Sequence, residues 1–131
     1  MTHQPTVLIV DDSAFSIELM SAFLGTMCDI CVAMTGEDAL VVARRAKPDL
    51  ILLDVILPGI DGFAVCETLK DDPGLNHVPI IFSSGNGSLE DQARGMAAGA
   101  AAFLPKPIRA AALREIVAAH LAAVDIGRAT T

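Results

Sequence analysis

The sequence predicts an α/β domain built on one parallel five-stranded sheet with helices on both faces. Three observations lead there. Short β-rich runs alternate with helical stretches five times along the chain. Several of those runs are almost wholly apolar, as strands covered on both faces are. Successive βα units of this kind join into one sheet through right-handed crossovers. A chain of 131 residues, 53% of them hydrophobic, suits a single core and leaves no room for a second folded unit.

Residues 1–5 are polar and read as an N-terminal extension, residues 6–124 as the domain, and residues 125–131 as a flexible tail. The strands are expected at Thr6–Val10, Asp29–Met34, Leu50–Asp54, Pro79–Ser83 and Ala101–Leu104. The first helix follows Asp12 or Ser13 as its cap and carries Ile17, Met20 and Leu24 on one stripe. Thr35 and Ser88, each with an acid three residues on, mark the starts of the second and fourth helices. Asp61 caps the third. The last helix shows Leu113, Ile116, Val117, Leu121 and Val124 at helical spacing. The stretch Gln92–Ala102 is rich in Ala and Gly, with Met96 its one bulky apolar residue, so this helix buries little and is the least firmly held.

Several classes of function are excluded by composition. The longest apolar run, Leu50 to Leu57, is interrupted by Asp54 and is too short to span a bilayer. No basic stretch followed by a long apolar core stands at the N-terminus, so a cytoplasmic protein is expected. A formal net charge of -7 disfavours direct binding of nucleic acid, which needs clustered Lys and Arg. Cys28 and Cys31 form a C-x-x-C, but on a strand three steps separate them by about 10 Å and turn them to opposite faces. A disulfide needs Cα atoms within about 7 Å. No second pair or nearby His completes a zinc site, so buried free thiols are expected, with Cys66 in a helix core.

In parallel α/β sheets, ligands sit beyond the carboxyl ends of the strands. Asp11 and Asp12 follow strand one, Asp54 ends strand three, Ser84 and Gly85 follow strand four, and Lys106 and Pro107 follow strand five. Singly, each has an ordinary explanation: Asp12 as a helix cap, Ser84 as a loop hydroxyl, Lys106 as a solvated charge, Pro107 as a helix start. Their conjunction at one edge of one sheet carries the inference. If strands one and three are neighbours, about 4.8 Å apart, the three carboxylates repel unless a cation joins them. Mg²⁺ suits such a set, since it takes carboxylate oxygens, keeps waters and shares phosphate. An aspartate there can accept a phosphoryl group as an acyl phosphate. Lys106 and Ser84 can supply the amine and hydroxyl that a transferring phosphoryl group needs.

Val10-Asp11-Asp12-Ser13, Leu50–Asp54 followed by Leu57-Pro58-Gly59-Ile60-Asp61-Gly62, Ser84-Gly85 and Leu104-Pro105-Lys106-Pro107 together resemble the receiver domains of bacterial response regulators. The resemblance runs in order over roughly residues 6–124. It implies a flavodoxin-like, doubly wound (βα)5 fold with strand order 2-1-3-4-5. It also implies that Asp54 takes phosphate from a histidine kinase or a histidine phosphotransfer protein. Asp11, Asp12, Asp54 and the backbone carbonyl of Ile56 would hold Mg²⁺, while Ser84 and Lys106 hold the phosphoryl oxygens. Ser84 and Phe103 match the switch positions, and the Lys106–Pro107 peptide is expected to be cis. Ile56 and Asn86 flank the path of an attacking water and tune dephosphorylation.

Such a domain catalyses only its own phosphorylation and dephosphorylation. It would signal to a downstream protein through helix four, strand five and helix five, as a monomer or a phosphorylation-linked dimer. Departures are modest: Ser84 where Thr is commoner, Gly85 for Ala, Leu57 for Met, and Phe103 for Tyr. The chain is read as a stand-alone regulator, with a receiver excised from a larger regulator or hybrid kinase as the alternative. A receiver-like module not governed by phosphorylation is a further alternative. An aspartyl phosphatase is disfavoured because Val55 and Ile56, not a second acid, follow Asp54. A flavin or nucleotide binder is disfavoured because Asp11 and Asp12 would repel phosphate.

Overall fold

The computed structural model describes residues 4–85 and 87–129, with the side chains of 123–129 outside the description. Five strands alternate with five helices: β1 (Thr6–Val10), α1 (Ala14–Leu24), β2 (Asp29–Ala33), α2 (Gly36–Ala46), β3 (Leu50–Asp54), α3 (Gly62–Lys70), β4 (Ile80–Ser84), α4 (Leu89–Ala97), β5 (Ala102–Pro105) and α5 (Ala110–Ala129). The sheet is parallel throughout, in the order β2-β1-β3-β4-β5. Strand windows differ from the sequence expectation by at most one residue at an end. Helix α5 continues past Val124 to Ala129.

The period-two pattern of the strands divides the core into two layers. Leu8, Val10, Ile51, Leu53, Ile80 and Phe82 face α2 and α3. Val7, Ile9, Leu50, Leu52 and Ile81 face Met20 and Leu24 of α1 and Leu113, Val117 and Leu121 of α5. Because β1, β3 and β4 are covered on both sides, alternate residues cannot be polar, which is why these runs read as almost continuously apolar.

The helix starts follow the expected chemistry. Ser13, Thr35, Asp61 and Ser88 each accept a backbone N–H with the side chain, satisfying donors that the first turn leaves unpaired. Helix α4 buries only Gly95, with Leu89 and Met96 both exposed, as its Ala- and Gly-rich composition predicts.

All three cysteines are free. Cys28 lies in the α1/α5 layer and Cys31 packs against the opposite one, as a strand requires. Burial, with the Asp29 charge adding to it, pushes the Cys28 thiol up to about 11. Burial likewise raises Cys66 to about 11, with Lys70 opposing and Glu67 adding. A thiol with a raised pKa favours the fold in its protonated form. Stability is therefore retained below the ordinary thiol range and falls as pH climbs toward about 11. At pH 8, a disulfide reagent should label native Cys28 and Cys66 far more slowly than the unfolded chain, because the thiolate is the reacting species. Equal native and unfolded rates would contradict this packing.

Candidate functional site

The carboxyl ends of β1, β3, β4 and β5 gather the predicted side chains at one edge of the sheet. β1 pairs with β3, so Asp11, just beyond Val10, stands beside Asp54. Asp54 in turn pairs with Ser83 on β4, and Ser84 with Pro105 on β5. The Lys106 N–H donates to the Ser84 carbonyl at 2.9 Å, which carries the ladder one step beyond β5. Topology thus sets the juxtaposition before any side chain is considered.

Asp11 is fully buried and Asp54 nearly so, while Asp12 is exposed. One carboxylate oxygen from each of the three lies within 4.8 Å of the others. The Lys106 ammonium enters this cluster directly, donating to Asp54 Oδ2 at 3.0 Å and to Asp11 Oδ2 at 3.1 Å. The other oxygens are held by the backbone: Ile56 N–H donates to Asp54 Oδ1 at 3.1 Å, and Ser13 N–H to Asp11 Oδ1 at 2.9 Å.

Burial raises the Asp54 carboxyl. Hydrogen bonds from Lys106 and Ile56 and the Lys106 charge pull it down, the Asp11 charge pushes it up, and burial prevails. For Lys106, burial acts downward, but its hydrogen bonds to Asp54 and Asp11 and their charges outweigh it and hold the amine above the ordinary lysine range. The amine is therefore cationic at neutral pH, beside the two acids.

An all-oxygen, carboxylate-rich donor set of this size fits a hard divalent cation, with room left for waters or a further anion. Among the described residues, Asp11, Asp12 and Asp54 are the side chains that could hold one.

Ser84 is buried at the end of β4, and Phe103 is half-buried on β5 with its ring 6.4 Å from that of Phe82. The Lys106–Pro107 peptide is cis. Ile56 is 69% exposed beside the site. Asn86 lies outside the described residues.

Three supports escaped the sequence reading. Gly62 lies so close to the Asp54 carbonyl and Val55 Cα that a Cβ there would collide with backbone. Glu37 reaches from α2 to accept the Ile60 N–H at 3.2 Å, tying down the loop after β3. Gly95 lets α4 rest on the Phe82 ring, where a Cβ would stand 3.0 Å from Cδ2. A Gly inside a helix, costing about 1 kcal/mol against Ala, is the sequence signal that could have revealed the last of these.

The comparisons with known proteins agree with this geometry. The family model for the response regulator receiver domain matches residues 7–118. The response regulator PleD of Caulobacter vibrioides is 43% identical over 103 residues, covering 78% of this chain and 23% of PleD. The DNA-binding response regulator MtrA of Mycobacterium tuberculosis is 36% identical, covering 92% of this chain and 52% of MtrA. The chain thus spans from about a quarter to about half of these relatives. The chemotaxis response regulator CheY4 of Vibrio cholerae superposes with a TM-score of 0.85 at 28% identity, covering 90% of this chain and 99% of CheY4. The BeF3-activated receiver domain of Klebsiella pneumoniae RstA gives 0.80 at 31%, covering 88% and 97%. Among the described residues, no helix is long and apolar enough to cross a membrane. Sheet order, acidic cluster and sequence kinship together assign this chain to the response regulator receiver domains of two-component systems, phosphoacceptor signalling domains in which Mg²⁺ binding is typical.

Proposed function

We propose that the chain is a cytoplasmic phosphoryl acceptor that takes phosphate on Asp54 from a histidine kinase or a histidine phosphotransfer protein. The observation that carries this reading is the Lys106 ammonium held between Asp54 and Asp11, with Asp12 completing an oxygen-donor cluster. In the transfer, an Asp54 carboxylate oxygen bonds to phosphorus. The phosphorus–nitrogen bond of the donor breaks, and its electron pair returns to the imidazole. Asp11, Asp12 and Asp54, with the Ile56 carbonyl, would hold Mg²⁺, which when bound offsets the charge of the phosphoryl oxygens. Lys106 bonds one of those oxygens and Ser84 another. The amine already stands at the acids, so it needs little reorganisation.

Drawing Ser84 toward the phosphoryl group vacates space beside β4, into which Phe103 turns. This switch is steric, since Phe carries no hydroxyl. The change is read by a downstream protein on the surface of α4, β5 and α5. Few buried contacts hold α4, so a bias of a few kcal/mol shifts it. Incubation with acetyl phosphate and Mg²⁺ should give one phosphoryl adduct by intact mass, absent in Asp54→Asn. A folded Mg²⁺-loaded protein left unmodified by this donor and by its kinase would support instead a docking module that phosphorylation does not control.

The apolar side chain of Ile56 cannot orient a hydrolytic water, so loss of the phosphoryl group is slow or leans on Asn86 or a partner. Ile56→Asn should shorten its half-life several-fold, followed as loss of the adduct with time. An unchanged half-life would assign control of that water to another residue, Asn86 first.

A further inference from the structure

The two faces of the sheet are covered unequally. Five strands about 4.8 Å apart form a sheet roughly 24 Å wide, whereas two packed helices cover only about 20 Å. The buried layer around Val7, Ile9, Leu50, Leu52 and Ile81 draws its helical residues from α1 and α5. These two helices are tied together by the Arg114 guanidinium, which donates to the Phe23 carbonyl at 2.7 Å. The deficit falls at the β2 edge. Along β2, Ile30 still packs into this layer, but Val32, two residues on and so on the same face, is 42% exposed. Met34, just beyond the strand, is 43% exposed.

The result is a groove of about 440 Å³ beside α1, lined by Ala14, Ile17 and Glu18 of α1, by Val32 and Met34, and by Asp38 of α2. Its lining is mainly apolar, and its two charged residues are both acids. Phe15 and Leu19 are exposed too, but they stand about 100° or more around α1 from Ala14 and do not line it.

We propose that this groove docks a basic amphipathic helix of a partner protein, laid alongside α1 over the uncovered strip of β2. A helix there supplies the width the layer lacks, seats apolar side chains on Ile17, Val32 and Met34, and sets Lys or Arg against Glu18 and Asp38. A second copy of this chain fits poorly, because a pair of such grooves would oppose acid to acid in a protein of net charge -7. This surface is distinct from that of α4, β5 and α5.

The test is a titration of the ¹⁵N-labelled full chain with a synthetic Leu/Lys amphipathic helical peptide, and with the same peptide carrying Glu for Lys. The Lys peptide should give saturable amide shifts centred on Ala14, Ile17, Glu18, Val32 and Met34, and the Glu peptide none. Glu18→Lys and Val32→Lys, both at exposed positions, should each weaken binding about fivefold or more while leaving the remaining spectrum in place. Shifts that do not saturate, that centre elsewhere, that arise equally with the Glu peptide, or that survive both substitutions would overturn the proposal. Concentration-dependent shifts at these amides without peptide would assign the groove to a second copy and overturn it as well.

Discussion

Lys106→Met will slow phosphorylation of Asp54 by acetyl phosphate about a hundredfold or more, the usual scale for removing one pre-set charged donor from a transition state. Methionine keeps much of the length and bulk of the lysine stem, so packing after β5 changes little. What it removes is the ammonium that bonds Asp54 at 3.0 Å and Asp11 at 3.1 Å. Saturating Mg²⁺ will not restore the rate, because a cation held by the acids cannot also occupy the side from which the amine reaches the phosphoryl group. Lys106→Arg will recover only part of it, since a planar guanidinium does not replace a compact ammonium between two carboxylates. Adduct formation followed by intact mass measures all three proteins. A Lys106→Met rate equal to that of the unaltered chain would remove the amine from the mechanism.

Phe82→Ala will destabilise the fold by about 3–5 kcal/mol, the range for truncating a large buried aromatic side chain. Phe82 is fully buried in the centre of β4. Its ring centroid lies 5.3 Å from that of Phe63 and 6.4 Å from that of Phe103, and α4 rests on it through Gly95. The Arg94 guanidinium, 4.3 Å from the Phe63 ring centroid, closes the same cluster from α4. Phe103→Ala, at a half-buried position, will cost less, about 1–2 kcal/mol. Urea unfolding with matched slopes distinguishes the two. Equal losses would mean that the β5 ring supports this cluster as much as the β4 ring does.

Most of the fold was legible because apolar patterning is a direct consequence of burial on both faces. Leu50–Leu53 has no polar residue to spare for solvent, so its place in the sheet interior followed from the sequence. The site was legible for a related reason: Asp11, Asp54, Ser84 and Lys106 follow or end strands, and a parallel sheet brings strand ends together. The supports around them were not legible, because they arise between elements distant in sequence. Nothing local to Glu37 announces that its carboxylate holds the Ile60 N–H. Nothing around Gly62 shows that the Asp54 carbonyl lies against it. The exposed strip at Val32 also escaped, since a strand reads as apolar whether or not a helix covers its last residues.

Chemical localisation of the acyl phosphate shows which carboxylate takes the phosphoryl group. After incubation with acetyl phosphate and Mg²⁺, borohydride reduction converts a phosphorylated aspartate to homoserine, and peptide mass spectrometry identifies the position. Homoserine at position 54, with Asp11 and Asp12 intact, is the expected result. Homoserine at 11 or 12, or none in a protein shown to be folded and loaded with Mg²⁺, would rule out Asp54 as the phosphoryl acceptor.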